Sequence, residues 1–394
     1  MRHIFGVSLV VVTVGCGGAA RTASTTPRPN EIVRMEEMRI TARVAGEGFE
    51  LESYDAEMLF DRATALLNQG SCPEGVALYS RLADEFPTSR YVSPSLYNAG
   101  LCTLDRGERL ESATWFERLL RDTPESPDVK HASLQLARIY VDLERWEDAV
   151  ATADRVLTRD DLTPDERLEG IARAAQGHLG AQRLEEAARQ AQSGLAYYRT
   201  RTDDERIADE FFAAAANFVL AETIRLRAEQ VVIPEGDVQT QHAALESRAR
   251  LILDAQREYF SAIELTNAHW AAAAGYRIGS MYDAFWTAIA NAPVPPPRRP
   301  MSPSNLAIYE EEYHRALARL IEPLVRHSIR YWELTLMMVE RTGVRTEWSE
   351  RTRQDLERVR SRLLGQASGA ERQAPAENPD TLGVPSASSA PRAL

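Results

Sequence analysis

The sequence predicts an all-α protein built as a stack of helical hairpins. Three observations carry that reading. The first is a repeat: the stretches EGVALYSRLADEFPTS (74–89), ESATWFERLLRDTPES (111–126) and EDAVATADRVLTRDDL (147–162) recur at a spacing of 37. Val76, Ala113 and Val150 fall in step, as do Tyr79, Phe116 and Ala153, then Leu82, Leu119 and Val156; Pro87 and Pro124 close the first two units. A fixed period in the thirties made of two amphipathic helices marks a stacked helical solenoid. The second is the recurrence of apolar residues at helical spacing within each unit. The third is the near absence of alternating Val, Ile or Thr runs bounded by turn residues.

The chain of 394 residues has room for two or three ordinary domains or for one long solenoid. Its net charge of −12 and the lack of a basic stripe argue against nucleic acid as a partner. Lys130 is the only lysine among 46 basic residues. The arginines spread over every helix face and do not focus on one site, so the bias reads as genome composition.

Residues 1–15, MRHIFGVSLVVVTVG, carry a basic Arg2 and a short apolar run from Ile4 to Val14, then Cys16. The run is too short to span a bilayer and fits an export signal. Thr13-Val14-Gly15-Cys16 resembles a bacterial lipobox, with Thr13 where that family usually has Leu. The resemblance implies cleavage before Cys16 and lipidation of its thiol. The alternative is an ordinary signal cut near Ala19-Ala20, with Cys16 discarded. Residues 16–50 are expected to be a flexible tether. Beyond Cys16 only Cys72 and Cys102 remain. Exported proteins meet oxidising conditions. One cysteine falls in the first hairpin's turn and the other near the end of the next unit's first helix, neighbouring spots in a solenoid. A disulfide between them and two buried thiols are both open.

The first hairpin, about 54–86, carries Leu59, Phe60, Ala63, Leu66 and Leu67 on one face and breaks at Gly70-Ser71-Cys72-Pro73. Pro73 suits the first turn of the second helix, where a missing N–H is harmless. The second uses Leu96, Ala99, Gly100 and Thr103, then Ala113, Phe116, Leu119 and Leu120; Gly100 permits close helix approach. The third places Leu136, Ala137, Tyr140, Ala149, Ala153 and Val156, and the fourth Ala175, His178, Ala187 and Ala191, in the same register. This pattern of small residues at crossings resembles the tetratricopeptide repeat over about residues 54–200. It departs from it at Ser133, where the repeat usually has Trp, and at Pro164, to which the closing Pro has drifted. The resemblance implies a right-handed helical-hairpin solenoid. The hairpin endings are similar to those of bacterial envelope repeat proteins, including the repeat lipoprotein of the outer-membrane barrel assembly machine and the periplasmic coordinators of the Tol system.

Beyond residue 200 the helices lengthen, to about 203–230, 237–265 and 268–290, and are expected to be elongated or degenerate repeats through 365. Residues 293–300, PVPPPRRP, predict a stiff extended connector. Residues 304–342 predict one long helix or a pair kinked at Pro323. A last helix covers about 346–365. The tail 366–394, rich in Ala, Ser, Pro and Gln, is expected to be disordered.

No glycine-rich phosphate loop, G-x-S-x-G or H-E-x-x-H occurs. His131, His178, His242, His269, His314 and His327 are scattered, and no metal or cofactor is expected. The aromatic group Trp270, Tyr276, Tyr282, Phe285 and Trp286 has the spacing of core packing rather than of a ligand cage. Tetratricopeptide geometry would place Phe60, Thr64, Tyr97, Leu101, Leu134, Arg138 and Gln176 on a concave protein-binding groove. The reading is therefore a non-enzymatic scaffold of the bacterial envelope. It would be anchored through Cys16, face the periplasm, most naturally from the outer membrane, and hold other envelope proteins or peptides rather than a small-molecule substrate. An outer-membrane assembly or trans-envelope complex is the first expectation. A gliding-motility or secretion machine and a soluble periplasmic protein without lipid are the alternatives, and an enzyme accessory over 203–365 is the competing class.

Overall fold

A computed structural model of the protein describes residues 37–45, 48–201, 205–207 and 209–373. The predicted signal peptide, Cys16 and the tail from residue 374 lie outside the described residues. The chain divides into two units, Met1–Met58 and Leu59–Leu394.

The first unit contains two strands, β1 (Met38–Ala45) and β2 (Gly48–Asp55). They pair antiparallel, with Met38 opposite Asp55, Ile40 opposite Ser53 and Ala42 opposite Leu51. Residues 38–45 and 48–50 are thus part of a strand pair where a tether was expected to run to residue 50. The alternation Met38, Ile40, Ala42, Val44 is a strand pattern, but a lone hairpin beside a polar segment is a weak signal in one sequence.

Thirteen helices follow among the described residues. The short ones are α1 (Ala56–Asn68), α2 (Cys72–Glu85), α3 (Val92–Asp105), α4 (Arg109–Asp122), α5 (Asp128–Asp142), α6 (Trp146–Leu157), α7 (Pro164–Gly180) and α8 (Leu184–Arg199). The long ones are α9 (Phe211–Gln230), α10 (Val238–Glu264), α11 (Ala268–Ala290), α12 (Pro303–Thr342) and α13 (Glu347–Gln373). From α2 on each helix packs on the next, and successive odd-numbered helices from α3 to α13 also touch one another. Two layers result in the second unit, with the odd helices forming one continuous face. The fold is the predicted all-α stack of tetratricopeptide-like hairpins, and the hairpin arrangement continues beyond residue 200.

The turn inside each short hairpin repeats down to its hydrogen bonds. Gly70, Gly107, Glu144 and Gln182 all have left-handed backbone, with φ of 82°, 80°, 57° and 60°. The amide after each reaches back to the helix: Ser71 to Leu66 O, Glu108 to Thr103 O, Arg145 to Tyr140 O and Arg183 to His178 O, all at 2.9 Å. This six-to-one bond with a left-handed residue before it is the Schellman stop, which satisfies carbonyls the helix end leaves free. Glycine fills the position twice. Glu144 and Gln182 adopt the same φ despite their Cβ, showing that packing of the two helices dictates the turn.

Small residues let the short helices approach. Gly100 of α3 lies under the Phe116 ring of α4; a Cβ there would meet the ring at 2.7 Å. Phe116 is fully buried, worth about 1.5–3 kcal/mol. Ser112 donates to the Gly100 carbonyl at 2.7 Å, closing the same crossing. A disulfide joins Cys72, at the start of α2, to Cys102 on α3, with Cα atoms 6.0 Å apart. Pro164 does not close α6 but opens α7, inside a capping box made by Thr163 and Glu166.

The long helices pack differently. A single core cluster gathers Phe218, Tyr259, Trp270, Ile278, Phe285, Trp286 and Trp332 from α9 to α12. The α11 helix is buried on nearly every side, as expected of a helix surrounded by others. Trp332 Nε1 donates to the Tyr276 carbonyl at 3.0 Å, tying α12 to α11. Tyr276 OH donates to Asp355 at 2.9 Å, and Arg358 and Arg362 both pair with buried Asp283, tying α13 to α11. The α12 helix runs unbroken through Pro323. The Pro-rich connector is extended and held by Gln241 on the Pro293 carbonyl, 2.9 Å, and by Tyr309 on that of Pro295, 3.0 Å.

Candidate binding cavity

The odd-helix face contains a cavity of about 1170 Å³. Its wall comes chiefly from α5, α7, α9, α11 and α13, with the turn residues Glu144 and Gln182 at its edge. It has a polar end and an aromatic end.

At the polar end α5 contributes Gln135, Arg138 and Asp142, and α7 contributes Glu169, Arg173 and Gln176. Positions three and four apart on a helix share a face, which aligns the three α7 residues. Arg173 donates to Gln176 Oε1 at 3.1 Å and to Glu169 Oε1 at 3.5 Å. Its guanidinium sits 5.2 Å from the centre of the Phe212 ring. Burial lowers the Arg173 pKa, against the pull of Glu169. Burial pushes the Glu169 carboxyl above its ordinary range, although Arg173 and Arg138 pull it down.

At the aromatic end Phe211, Phe212 and Phe218 of α9 meet His269 and Trp270 of α11 and Trp348 of α13. Ring centres lie 5.5 Å apart for Phe211 and Trp270, 5.1 Å for Phe218 and Trp270, and 6.1 Å for Phe218 and Trp348. Offset and tilted pairs at such distances are favourable. Arg277 and Arg351 stand 5.3 and 5.0 Å from the Trp348 ring centre, in cation–π range. Burial keeps the His269 pKa below its ordinary value, so the ring is neutral at pH 7.

The same wall carries a buried ion cluster. Glu222 accepts from Arg225 at 2.9 and 3.1 Å, from Tyr259, and pairs with Arg277 at 3.1 Å. Burial would raise its pKa, but Arg277 and Arg225 outweigh burial and hold the carboxyl below the ordinary range. Burial, then Glu222, pushes Tyr259 well above its own. Among the described residues no three His, Cys, Asp or Glu are grouped to hold a metal ion, and no helix is long and apolar enough to cross a membrane.

Of the predicted groove residues, Arg138 and Gln176 lie in this wall. The others do not. Leu134 is 4 % exposed, a core residue. Phe60 packs between Tyr79 and Tyr91, with ring centres 5.7 and 5.1 Å away. Thr64 hydrogen-bonds Tyr79 OH at 2.9 Å. Tyr97 sits edge-on to Phe116, and Leu101 is half-buried outside the cavity. The physical reason is that neighbouring odd helices touch, so positions flanking the inner face become core shared between hairpins. Sequence reasoning passed over Arg173, Arg277 and Trp348. Of the aromatic group read as packing, Trp270 both packs and lines the cavity. A legible signal was Glu222 with Arg225 inside the alanine-rich α9, a charged pair on a stripe that must be buried.

No protein-family model matches the sequence, and no curated protein matches it. Solved structures of similar fold include a tetratricopeptide repeat protein from Parabacteroides merdae, 12% identical over 76% of this chain and 97% of its own, TM-score 0.36. MamA from Desulfovibrio magneticus, from residue 41 on, is 15% identical over 51% and 95%, TM-score 0.34. YrrB, described as a TPR protein with an unusual peptide-binding site, is 16% identical over 54% and 92%, TM-score 0.35. At these scores none of them carries the fold assignment, which rests on the layered hairpins themselves. The class is that of a helical-hairpin solenoid with a cavity on its odd-helix face.

Proposed function

We propose that this chain is a protein-binding adaptor that holds a segment of a partner in the odd-helix cavity. The observation that carries the reading is the composition of the wall: five helices of successive hairpins bring aromatic rings and arginines to one recess. Binding sites are typically concave, with an apolar lining and a few polar groups that fix orientation. Extended peptides or helices suit a recess of this kind. The proposal extends to location. The lipobox-like Thr13-Val14-Gly15-Cys16 supports anchoring at a bacterial envelope membrane, and the Cys72–Cys102 disulfide suits an oxidising compartment such as the periplasm. An anchored adaptor raises the effective concentration of partners in the same membrane. Its place is then an outer-membrane assembly or trans-envelope complex.

Two measurements test this. The first is co-purification from native membranes with wild type and with a Trp348→Ala, Arg351→Ala variant, both residues on the cavity wall. A stoichiometric partner lost only in the variant is expected; a partner retained by both places binding elsewhere. The second is membrane fractionation of Cys16→Ser. Release from the membrane fraction is expected, and unchanged fractionation sinks the lipid anchor.

A further inference from the structure

The β1–β2 hairpin turns its apolar face outward. Cross-strand partners lie on the same face of an antiparallel pair, so Met38, Ile40 and Ala42 stand with Leu51, Ser53 and Asp55, and Arg39 and Thr41 with Glu52 and Tyr54. Asp55, at the open end, is engaged in capping α1, accepting from the Met58 amide at 2.8 Å. Where one face of such a pair is covered, it is ordinarily the apolar one. Here Met38 is 59 % exposed, Ile40 67 % and Leu51 73 %, while Thr41 and Glu52 are half-buried and Tyr54 is 3 % exposed. A slip of one residue in register would exchange the two faces, so the inversion is built into the pairing. A two-stranded sheet is marginal in water without something against its hydrophobic face. Adjoining exposed apolar side chains of this kind mark a contact with protein or membrane.

Chain position and size choose between them. Residues 17–37 separate the hairpin from Cys16. A segment of that length spans about 75 Å at full stretch, so acylation at Cys16 keeps the hairpin within that distance of the bilayer and at high effective concentration over it. The described apolar side chains, Met38, Ile40, Ala42 and Leu51, offer about 400 Å² at these exposures, so two such faces together would bury on the order of 800 Å², short of the roughly 1,200 Å² at which stable protein interfaces begin. A lipid surface sets no such threshold for a chain already held to it. Lying flat, the face puts its side chains at the acyl boundary. The outer edges of β1 and β2, which have no strand partner among the described residues, stay among the headgroups, where water satisfies them. With a chain charge of −12, apolar burial rather than attraction to anionic lipid drives the contact.

Building on the anchor reading, we infer that the apolar face of the hairpin rests on the lipid surface, as a second and peripheral membrane contact of the acylated chain. The α1 helix starts at Ala56, directly after β2. The contact therefore holds the start of that helix at the bilayer instead of letting it range over the length of the preceding segment.

The test uses the full-length protein purified from native membranes and reconstituted in phosphatidylcholine vesicles, with and without nitroxide-labelled lipid. Ile40→Cys and Leu51→Cys place an environment-sensitive fluorophore on the apolar face, and Arg39→Cys places it on the other. All three positions are exposed, so folding is not at stake. Cys72 and Cys102 are joined and do not take the label; protein without an added cysteine sets the background. Emission shifted to the blue and quenched by the nitroxide is expected at 40 and 51, several-fold more strongly than at 39, without anionic lipid and without dependence on salt. Flotation of the protein with the vesicles reads the anchor separately. Protein that floats but is unquenched at 40 and 51, or is quenched equally at all three sites, overturns the inference while the anchor stands. A blue shift at 40 and 51 without quenching shows the face covered by protein, a second copy or a partner, and overturns it in the same way. Protein that does not float overturns both.

Discussion

The short hairpins, α1 to α8, and the long ones, α9 to α13, solve one packing problem in two ways. In the first region the helices have 12 to 17 residues, small residues let them approach, and the turn inside each hairpin closes with the same Schellman bond. Each hairpin needs only its neighbours, so stability is close to a sum of local terms. In the second the helices have 20 to 40 residues. They share one aromatic core, with a buried ion cluster inside it and ties that reach 79 positions along the chain, as from Tyr276 to Asp355. The regular region supplies a scaffold. The irregular one supplies most of the cavity's aromatic wall.

If that division is right, damage should stay within a region. The largest effect is expected from Trp332→Ala, which empties a fully buried site and removes the bond to Tyr276. Such truncations cost about 3–5 kcal/mol. Hydrogen exchange should accelerate in α9 to α13 and stay slow in α1 to α8; equal acceleration in both would break the comparison. Glu222→Gln comes next, since it leaves Arg225 and Arg277 without their shared anion, a loss of about 3 kcal/mol or more. Because the folded pKa of Glu222 is lowered from 4.5, its contribution is fully present above that value and is lost as pH falls through the folded pKa. Denaturant melts across this acid range should therefore show a shallower pH dependence in the variant than in wild type.

Replacing Cys72 and Cys102 together by Ser releases a closure of 30 residues. The expected loss is about 2–4 kcal/mol, read as exchange confined to α1 to α4. Spread of that loss into the long helices would show the regions to be one cooperative block. The smallest effect is a gain. Glu144→Gly relieves a left-handed side chain with φ of 57°. The gain is roughly 0.5–1 kcal/mol, because part of the strain relief is offset by glycine's extra unfolded-state entropy. A denaturation midpoint moved downwards would mean that Glu144 gains more from its place at the cavity edge than its backbone loses.

The two regions were also unequally legible. Val76, Phe116 and Val156 announced their burial because a period of 37 repeats the same environment, and one unit teaches the next. Arg138 and Gln176 could be placed in the cavity wall by extending that period. Leu134 could not be kept out of the groove, because whether it faces ligand or neighbour depends on how closely α5 and α7 approach. The aromatic cluster from Trp270 to Trp286 was visible as apolar spacing, but nothing in the spacing tells that Trp270 also borders a void. Trp348 and Arg277 belong to helices far apart in sequence, and no local pattern links them. The β1–β2 hairpin was missed for the opposite reason, its signal being local but short.

The sequence by itself determined the helical class, the hairpin period, the continuation into longer helices and the acidic net charge. These follow from spacing and composition, which act within a few turns of helix. Only the tertiary structure decided that α5, α7, α9, α11 and α13 wall one cavity, that Arg173 and two indoles line it, and that Glu222 is shared by two arginines of the same wall. Those properties depend on side-chain distances between helices far apart in the chain, set by the packing of the whole stack rather than by any segment of it.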